Sequence, residues 1–373
     1  MTHRIVILGA GYAGLRAAKR TARLLRGRDV RVTLVNRDDR FFERVRAHQL
    51  ATGQDLRAWR LPDVLAGTGI DLVTATVTGV EPGTRTVLLD AAPHTIRYDT
   101  LVYALGSGAD TGADTGAVPG VREHALTVAD AAGAARLGAR LATMPVRSDF
   151  LVVGGGLTGI EVAAEIAEAR PDLRVRLVCD APVGGWLSAR ARRHLRRAFE
   201  RLGVELCEGA RVAKVGPKEV LLGDGRSLPA DAVVWAAGFR VPALAADAGF
   251  AVDGHGRMRV DERLRSVSHP EVYGVGDAAA GRAAGGRETR MSCQTGLPMG
   301  QCAARDIARE RTGRRPKPAR IRYEWQNISL GRRDGVTQFT RADDSPVRAV
   351  LTGRVSAWFK ETITRLAARM TVR

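Results

Sequence analysis

The chain has four cysteines, Cys179, Cys207, Cys293 and Cys302, and no two of them form a C-x-x-C pair or a regular framework. A disulfide scaffold is therefore excluded, reduced thiols in a cytoplasmic setting are expected, and no metal site is expected. No run of 18 apolar residues occurs, so no transmembrane helix is expected, and the run Ile5 to Leu8 is too short for a secretory leader. Lysine is scarce too, at 5 of 58 basic residues, and no helix-turn-helix or zinc-finger spacing accompanies them.

What is present is the balance of a folded chain. Its 373 residues suit two or three domains, each able to bury a core, and 45% apolar with 26% charged residues is a globular composition. The formal charge of +18 and pI near 10.9 stand out. An arginine bias of the genome, an anionic ligand or an acidic membrane surface each account for it. Nucleic acid is not expected as a partner, and a basic nucleic-acid-binding redox sensor is kept only as a reading from another class.

Two segments repeat one pattern. Arg4-Ile-Val-Ile-Leu-Gly-Ala-Gly-Tyr-Ala-Gly14 reads as strand, glycine turn and helix, with a second strand at Val30 to Val35. Phe150-Leu-Val-Val-Gly-Gly-Gly-Leu-Thr-Gly159 repeats it, with a second strand at Val175 to Val178. In Gly9-x-Gly11-x-x-Gly14 the first glycine makes the turn, the second admits a pyrophosphate and the third lets helix meet strand; Ala13 and Thr158 lie in the corresponding first helical turns. Gly154, Gly156 and Gly159 take the same places, so two dinucleotides and hydride transfer between them are expected. The carboxylate that normally ends the second strand is missing twice. Asn36 then Arg37 stand there in the first copy, Cys179 then Asp180 in the second. Asp180 suits NADH; a missing acid with Arg190, Arg192 and Arg193 nearby suits the 2′-phosphate of NADPH, and the choice stays open.

The order of motifs, with Leu105-Gly106 closing the early part, Trp235-Ala-Ala-Gly238-Phe closing an insert and Val275-Gly-Asp277 beyond it, resembles the two-dinucleotide-domain pyridine nucleotide oxidoreductases. Within them the chain is most similar to type II NADH:quinone oxidoreductases and apoptosis-inducing-factor-like flavoproteins. The resemblance implies an α/β fold of two Rossmann-like domains, with FAD on residues 1–112 and 254–310 and NADH or NADPH on an inserted domain of residues 113–253. Residues 311–373 form a small α+β segment for dimer, lid or membrane-surface contact. Asp277 would hold the flavin's ribityl chain, against its reading as a helix cap or turn residue, and the backbone near Val77 would face adenine, against its reading as core.

The same resemblance lays Arg44, Arg46, His48 and Gln49 along the flavin, where such groups stabilise the reduced ring or relay a proton; solvated arginines and a loop histidine are the plainer account. Glu161, in the first turn of the second motif's helix, would point to the junction of nicotinamide and flavin, unless it only complements the helix dipole. The Ala-Gln…Gln-Gln-Gly run of quinone reductases is kept at Gln294 and Gly300 but interrupted by Pro298 and Met299. No cysteine pair lies beside the flavin. The expectation is an FAD-dependent NAD(P)H oxidoreductase passing electrons to a small acceptor such as a quinone, with a biosynthetic flavoenzyme or ferredoxin-type carrier reductase as the alternative. The last helix, with Val355, Phe359, Ile363, Leu366 and Met370 at helical spacing among arginines, suits core or dimer packing or a peripheral contact on the cytoplasmic face of a membrane.

Overall fold

The computed structural model describes residues 1–111 and 118–372. The boundary expected at 112/113 and the terminal Arg373 lie outside them. Its helices include α1 (Tyr12–Leu24), α2 (Ala47–Ala51), α3 (Ala131–Thr143), α4 (Leu157–Ala169), α5 (Ala189–Leu202), α6 (Cys293–Arg311) and α7 (Gly353–Val372).

Two five-stranded parallel sheets form the cores. The first runs in the order Val272–Gly274, Thr100–Tyr103, His3–Leu8, Val30–Asn36, Ile70–Thr74. The second runs Ala125–Leu126, Ala232–Trp235, Asp149–Val153, Arg174–Val178, Glu205–Cys207, which repeats that order in four strands but takes its edge strand from before the glycine motif rather than from the end of the domain. Parallel strands are covered on both faces, so their sequences are continuously apolar: Ile5 to Leu8 and Phe150 to Val152 are at most 1% exposed. Each domain also carries a three-stranded antiparallel meander, at residues 77–97 and 212–229. The α/β class and the twofold use of one unit are as expected.

The second domain is inserted into the first through two strands that run side by side. Gly108–Ala109 on the way in pairs antiparallel with Phe239–Arg240 on the way out. After them Val241, Ala245 and Phe250 already pack with Val6, Leu8 and Tyr103 of the first core, so the chain rejoins that core earlier than the return read at residue 254.

The C-terminal segment is a three-stranded antiparallel sheet, Trp325–Ser329, Gly335–Thr340 and Pro346–Thr352, followed by α7. Ahead of its first strand, Ile321 and Tyr323 bury their side chains without joining the ladder. The third strand is an edge strand that opens on Pro346, the one ladder position where a missing N–H costs little. The helical stripe is also redistributed. Ser356, Ala367, Ala368, Thr371 and Val372 form the buried face of α7 and Phe359 packs edge-to-face with Trp325, whereas Val355, Trp358, Leu366 and Met370 are exposed. Small side chains let α7 lie close to the body, and the bulky ones are left outside.

Candidate functional site

Both glycine motifs have the geometry of a dinucleotide cradle. Gly9 sits at φ +94°, and a Cβ there would lie 2.5 Å from the Ala104 carbonyl oxygen; Gly154 sits at φ +117° with Ala236 equally close, at 2.6 Å. At Gly14 and Gly159 a Cβ would fall 1.9 and 1.8 Å from the carbonyl oxygens of Gly9 and Gly154. Gly11 and Gly156, which cap α1 and α4, face open space, and no side chain caps either helix. The N–H groups and positive dipole end of each helix are thus presented where a pyrophosphate would sit. In both domains the motif lies at the crevice beside the third strand, where parallel sheets take ligands.

The second-strand residues do different work. Asn36 accepts from the Ala10 N–H at 2.8 Å and donates to the Asp38 carbonyl at 2.7 Å, so its amide braces the glycine turn. Arg37 is exposed and pairs with Asp38. Cys179 points inward: its thiol donates to the Ala181 carbonyl at 3.0 Å, and a Cβ on Gly155 would meet the sulfur at 3.1 Å. Burial pushes that thiol up to about 11, so it stays protonated. Asp180 is exposed beside it. Val77 is buried at the start of the strand next to the second-strand end, and Gly238 at φ +95° shapes the return crossing.

Between the two domains Asp277 accepts from the Ser107 hydroxyl at 2.7 Å and faces the Arg44 guanidinium at 3.5 Å. Its carboxylate caps no helix. Arg44 also donates to the Ser107 carbonyl at 2.8 Å, next to Gly106 at φ +69°, and lies 4.9 Å over the Phe239 ring. One guanidinium nitrogen, Arg44 Nη2, and the Tyr12 hydroxyl are buried without a hydrogen-bond partner. Buried polar atoms of that kind are rare unless a ligand completes them. Those orphaned donors, with the open cradle at Gly11, fit an FAD laid from Asn36 across α1 to Asp277.

Arg46 is not solvated. It makes a paired contact to Glu361 of α7 at 2.9 and 3.0 Å, and further bonds to Glu43 and Gln49. His48 is 5% exposed and lies between two carboxylates of α4, with Nδ1 3.8 Å from Glu161 and Nε2 4.0 Å from Glu165. Burial, then the cations of Lys360, Arg332 and Arg46, hold its pKa well below the ordinary value, so the ring is neutral. Glu161 is the fifth residue of α4 rather than part of its first turn, and its carboxylate accepts from the Ser329 N–H at 2.9 Å and from Lys360. Complementing the dipole does not account for such a placement.

Several of these partners were not read from the sequence. Glu161, Glu165 and Glu168 fall at i, i+4 and i+7, one face of α4, and the C-terminal hairpin binds all three. Arg332 bonds Glu165 at 2.7 Å through its side chain and Glu168 at 2.6 Å through its N–H. Gln54 donates to Glu165 from the other side. The acidic spacing was the available signal; its basic partners lie more than 150 residues away. Beside the cluster opens a polar cavity of about 340 Å³ whose wall includes Gln49, Gln54, Arg332, Lys360 and Thr364. On α6, Gln294 is held by Arg290 at 2.9 Å, Pro298 cannot donate to the Gln294 carbonyl, and Gly300 allows α1 to approach, since a Cβ there would lie 2.2 Å from the Ala13 carbonyl oxygen. Ala13 lies between Gly276 and Gly296 for the same reason. Burial and then Asp277 push the Cys293 thiol up to about 11.

Residues 3–300 match the family model described as pyridine nucleotide-disulphide oxidoreductase. An NADH dehydrogenase-like protein of Mycobacterium tuberculosis is 36% identical over 327 residues, 82% of this chain and 80% of that protein. A type II NADH:quinone oxidoreductase of Staphylococcus saprophyticus is 24% identical over 364 residues, 89% of each chain. Among solved structures, NDH2 from Plasmodium falciparum in complex with NADH superposes with a TM-score of 0.81 at 14% identity, covering 100% of this chain and 98% of that one. That likeness is one of fold. Among the described residues no helix is long and apolar enough to cross a membrane.

Proposed function

The chain belongs to the pyridine nucleotide-disulphide oxidoreductase family as an FAD-dependent NAD(P)H oxidoreductase, and on that premise we propose that its electrons leave to a small acceptor such as a quinone at a site organised by Glu161. When bound, FAD supplies the hydride and electron chemistry. The protein orients and supplies charge. Gly9, Gly11, Gly14 and Asn36 hold the FAD pyrophosphate end, and Asp277, Ser107 and Arg44 its ribityl end; Gly154, Gly156 and Gly159 hold the nicotinamide dinucleotide, with Asp180 at its ribose. Arg46 fixes α7 in place, and His48 and Lys360 flank the Glu161 carboxylate. The observation that carries this reading is the burial of that carboxylate where the first domain, the inserted domain and the C-terminal segment meet. With no cysteine pair and a protonated Cys293, thiol exchange is not the exit route. Anaerobic mixing with NADH or NADPH should bleach the protein's flavin absorbance, and a quinone should restore it. Failure of both nicotinamides to bleach it, or of a range of acceptors to restore it, would sink the proposal.

A second observation favours a membrane as the place of reaction. The exposed side chains Val355, Trp358, Leu366 and Met370 of α7 are flanked by Arg354, Arg365 and Arg369, a composition that suits an anionic bilayer surface. Co-sedimentation with phosphatidylglycerol vesicles but not with phosphatidylcholine vesicles is expected, and Trp358→Ala should reduce it. Equal recovery with both, or no effect of the substitution, would count against it.

A further inference from the structure

Reduction of an acceptor A by NAD(P)H to AH2 consumes one proton beyond the hydride: NAD(P)H + H⁺ + A gives NAD(P)⁺ + AH2. That proton must reach Glu161, whose carboxylate is 13% exposed and is bonded by Ser329 and Lys360 of the C-terminal segment. We propose that His48 is the relay that carries it, taking a proton at Nε2 from Glu165 on the cavity side and passing the one on Nδ1 to Glu161. This rests on the reading of Glu161 given above and extends it to a path and to two further residues.

The geometry supports it in four ways. Glu161 and Glu165 stand one turn apart on α4, and the imidazole lies between them with a different nitrogen toward each, at 3.8 and 4.0 Å. Gaps of that size close with a small side-chain movement or one intervening water. His48 Nε2 is buried and bonded to nothing, which is costly unless it has a task. Glu165 is 2% exposed, yet both side chains that bond it, Gln54 and Arg332, line the polar cavity of about 340 Å³. Burial raises the Glu165 carboxyl from its ordinary value despite Arg332 and Gln54, which eases its protonation from the cavity, and it keeps the imidazole neutral and able to accept. The charged groups around the ring are Glu161 and Glu165 from α4, Lys360 from α7, Arg332 from the hairpin and Arg46 from its own segment.

In one transfer the O–H bond of Glu165 breaks as an N–H forms at Nε2. The Nδ1–H bond breaks as the Glu161 O–H forms, and Glu161 gives that proton to the acceptor as the electron pair arrives. Between turnovers Glu165 regains a proton from the cavity and the imidazole returns to its Nδ1–H tautomer. No further oxidant or reductant is needed.

The test compares two acceptors in the FAD-loaded protein: a benzoquinone, which takes up protons, and ferricyanide, which takes electrons alone. His48→Gln and Glu165→Gln should each lower the ratio of quinone to ferricyanide turnover by about tenfold or more, and a solvent deuterium isotope effect should appear on the quinone step. In His48→Ala, added imidazole should restore quinone turnover. An unchanged ratio in flavin-loaded variants, or a rate in His48→Ala that imidazole does not raise, overturns the relay. If the wild-type flavin is not bleached by either nicotinamide, the reading beneath it has failed instead, and the two failures are told apart by that first mixing.

Discussion

The two Rossmann-like domains are built on one backbone and held by opposite chemistry. Around the first motif the packing is glycine against helix: Gly276, Gly296 and Gly300 let α6 close on Ala13, and the outer face of α1 is basic. Around the second, α4 offers three carboxylates that the C-terminal hairpin and α7 bind through Ser329, Arg332 and Lys360. What differs is the part of the helix beyond the glycine motif. A motif therefore tells what a domain binds, and the rest of its helix tells what the domain is fastened to.

The strongest way to break that comparison is at the shared glycines. Gly14→Ala and Gly159→Ala each force a Cβ into a carbonyl oxygen and should cost more than about 3 kcal/mol locally. Gly14→Ala should yield protein without flavin, whereas Gly159→Ala should retain flavin that NAD(P)H no longer bleaches; loss of flavin in both would show that the domains do not fold independently. Next comes Asn36→Ala, which leaves the Ala10 N–H without its acceptor and should cost about 1–3 kcal/mol, read as a lower Tm and weaker FAD affinity.

A pH titration sharpens the contrast at the seam. His48 stays neutral in the folded protein, while in the unfolded chain it takes up a proton as pH falls through about 6.5. The depressed folded pKa means that its contribution to stability is complete above that pH and lost as pH falls below it. Between about pH 7 and 5, Tm should therefore fall less steeply in His48→Gln than in the wild type, and parallel slopes would refute the assignment. The smallest effect is expected from Cys179→Ser. The inward thiol touches Gly155 and Ala181, not the space beside Asp180, so nicotinamide KM should change by no more than about twofold.

Much of the fold was legible because it is written in local patterns. The turns at Gly9 and Gly154 require residues without a Cβ, and buried parallel strands need unbroken apolar runs, so both motifs and their sheets could be read directly. The site was legible only in part. His48 and Glu161 were found through resemblance, but Lys360 reaches Glu161 across 199 residues and Arg332 reaches Glu165 across 167, separations at which no spacing rule applies. Asn36 illustrates the other gap, since an amide at a ribose position can equally serve the backbone beside it. The face of α7 was left open between core, dimer and membrane packing because period alone does not say whether large or small side chains turn inward.

The end of α7 is held by the first helix of the chain. Arg16 donates to the Met370 carbonyl at 2.7 Å and Lys19 to the Val372 carbonyl at 2.5 Å, supplying cations where a helix leaves its carbonyl groups bare. These contacts span 354 and 353 residues. Translation makes α1 well before α7, so α1 waits for this partner while the residues between them are made. Until then Glu161 has no Lys360, and the seam between the domains stays uncovered. Closure of the seam therefore depends on contacts between α1 and α7 as well as on those between α7 and α4.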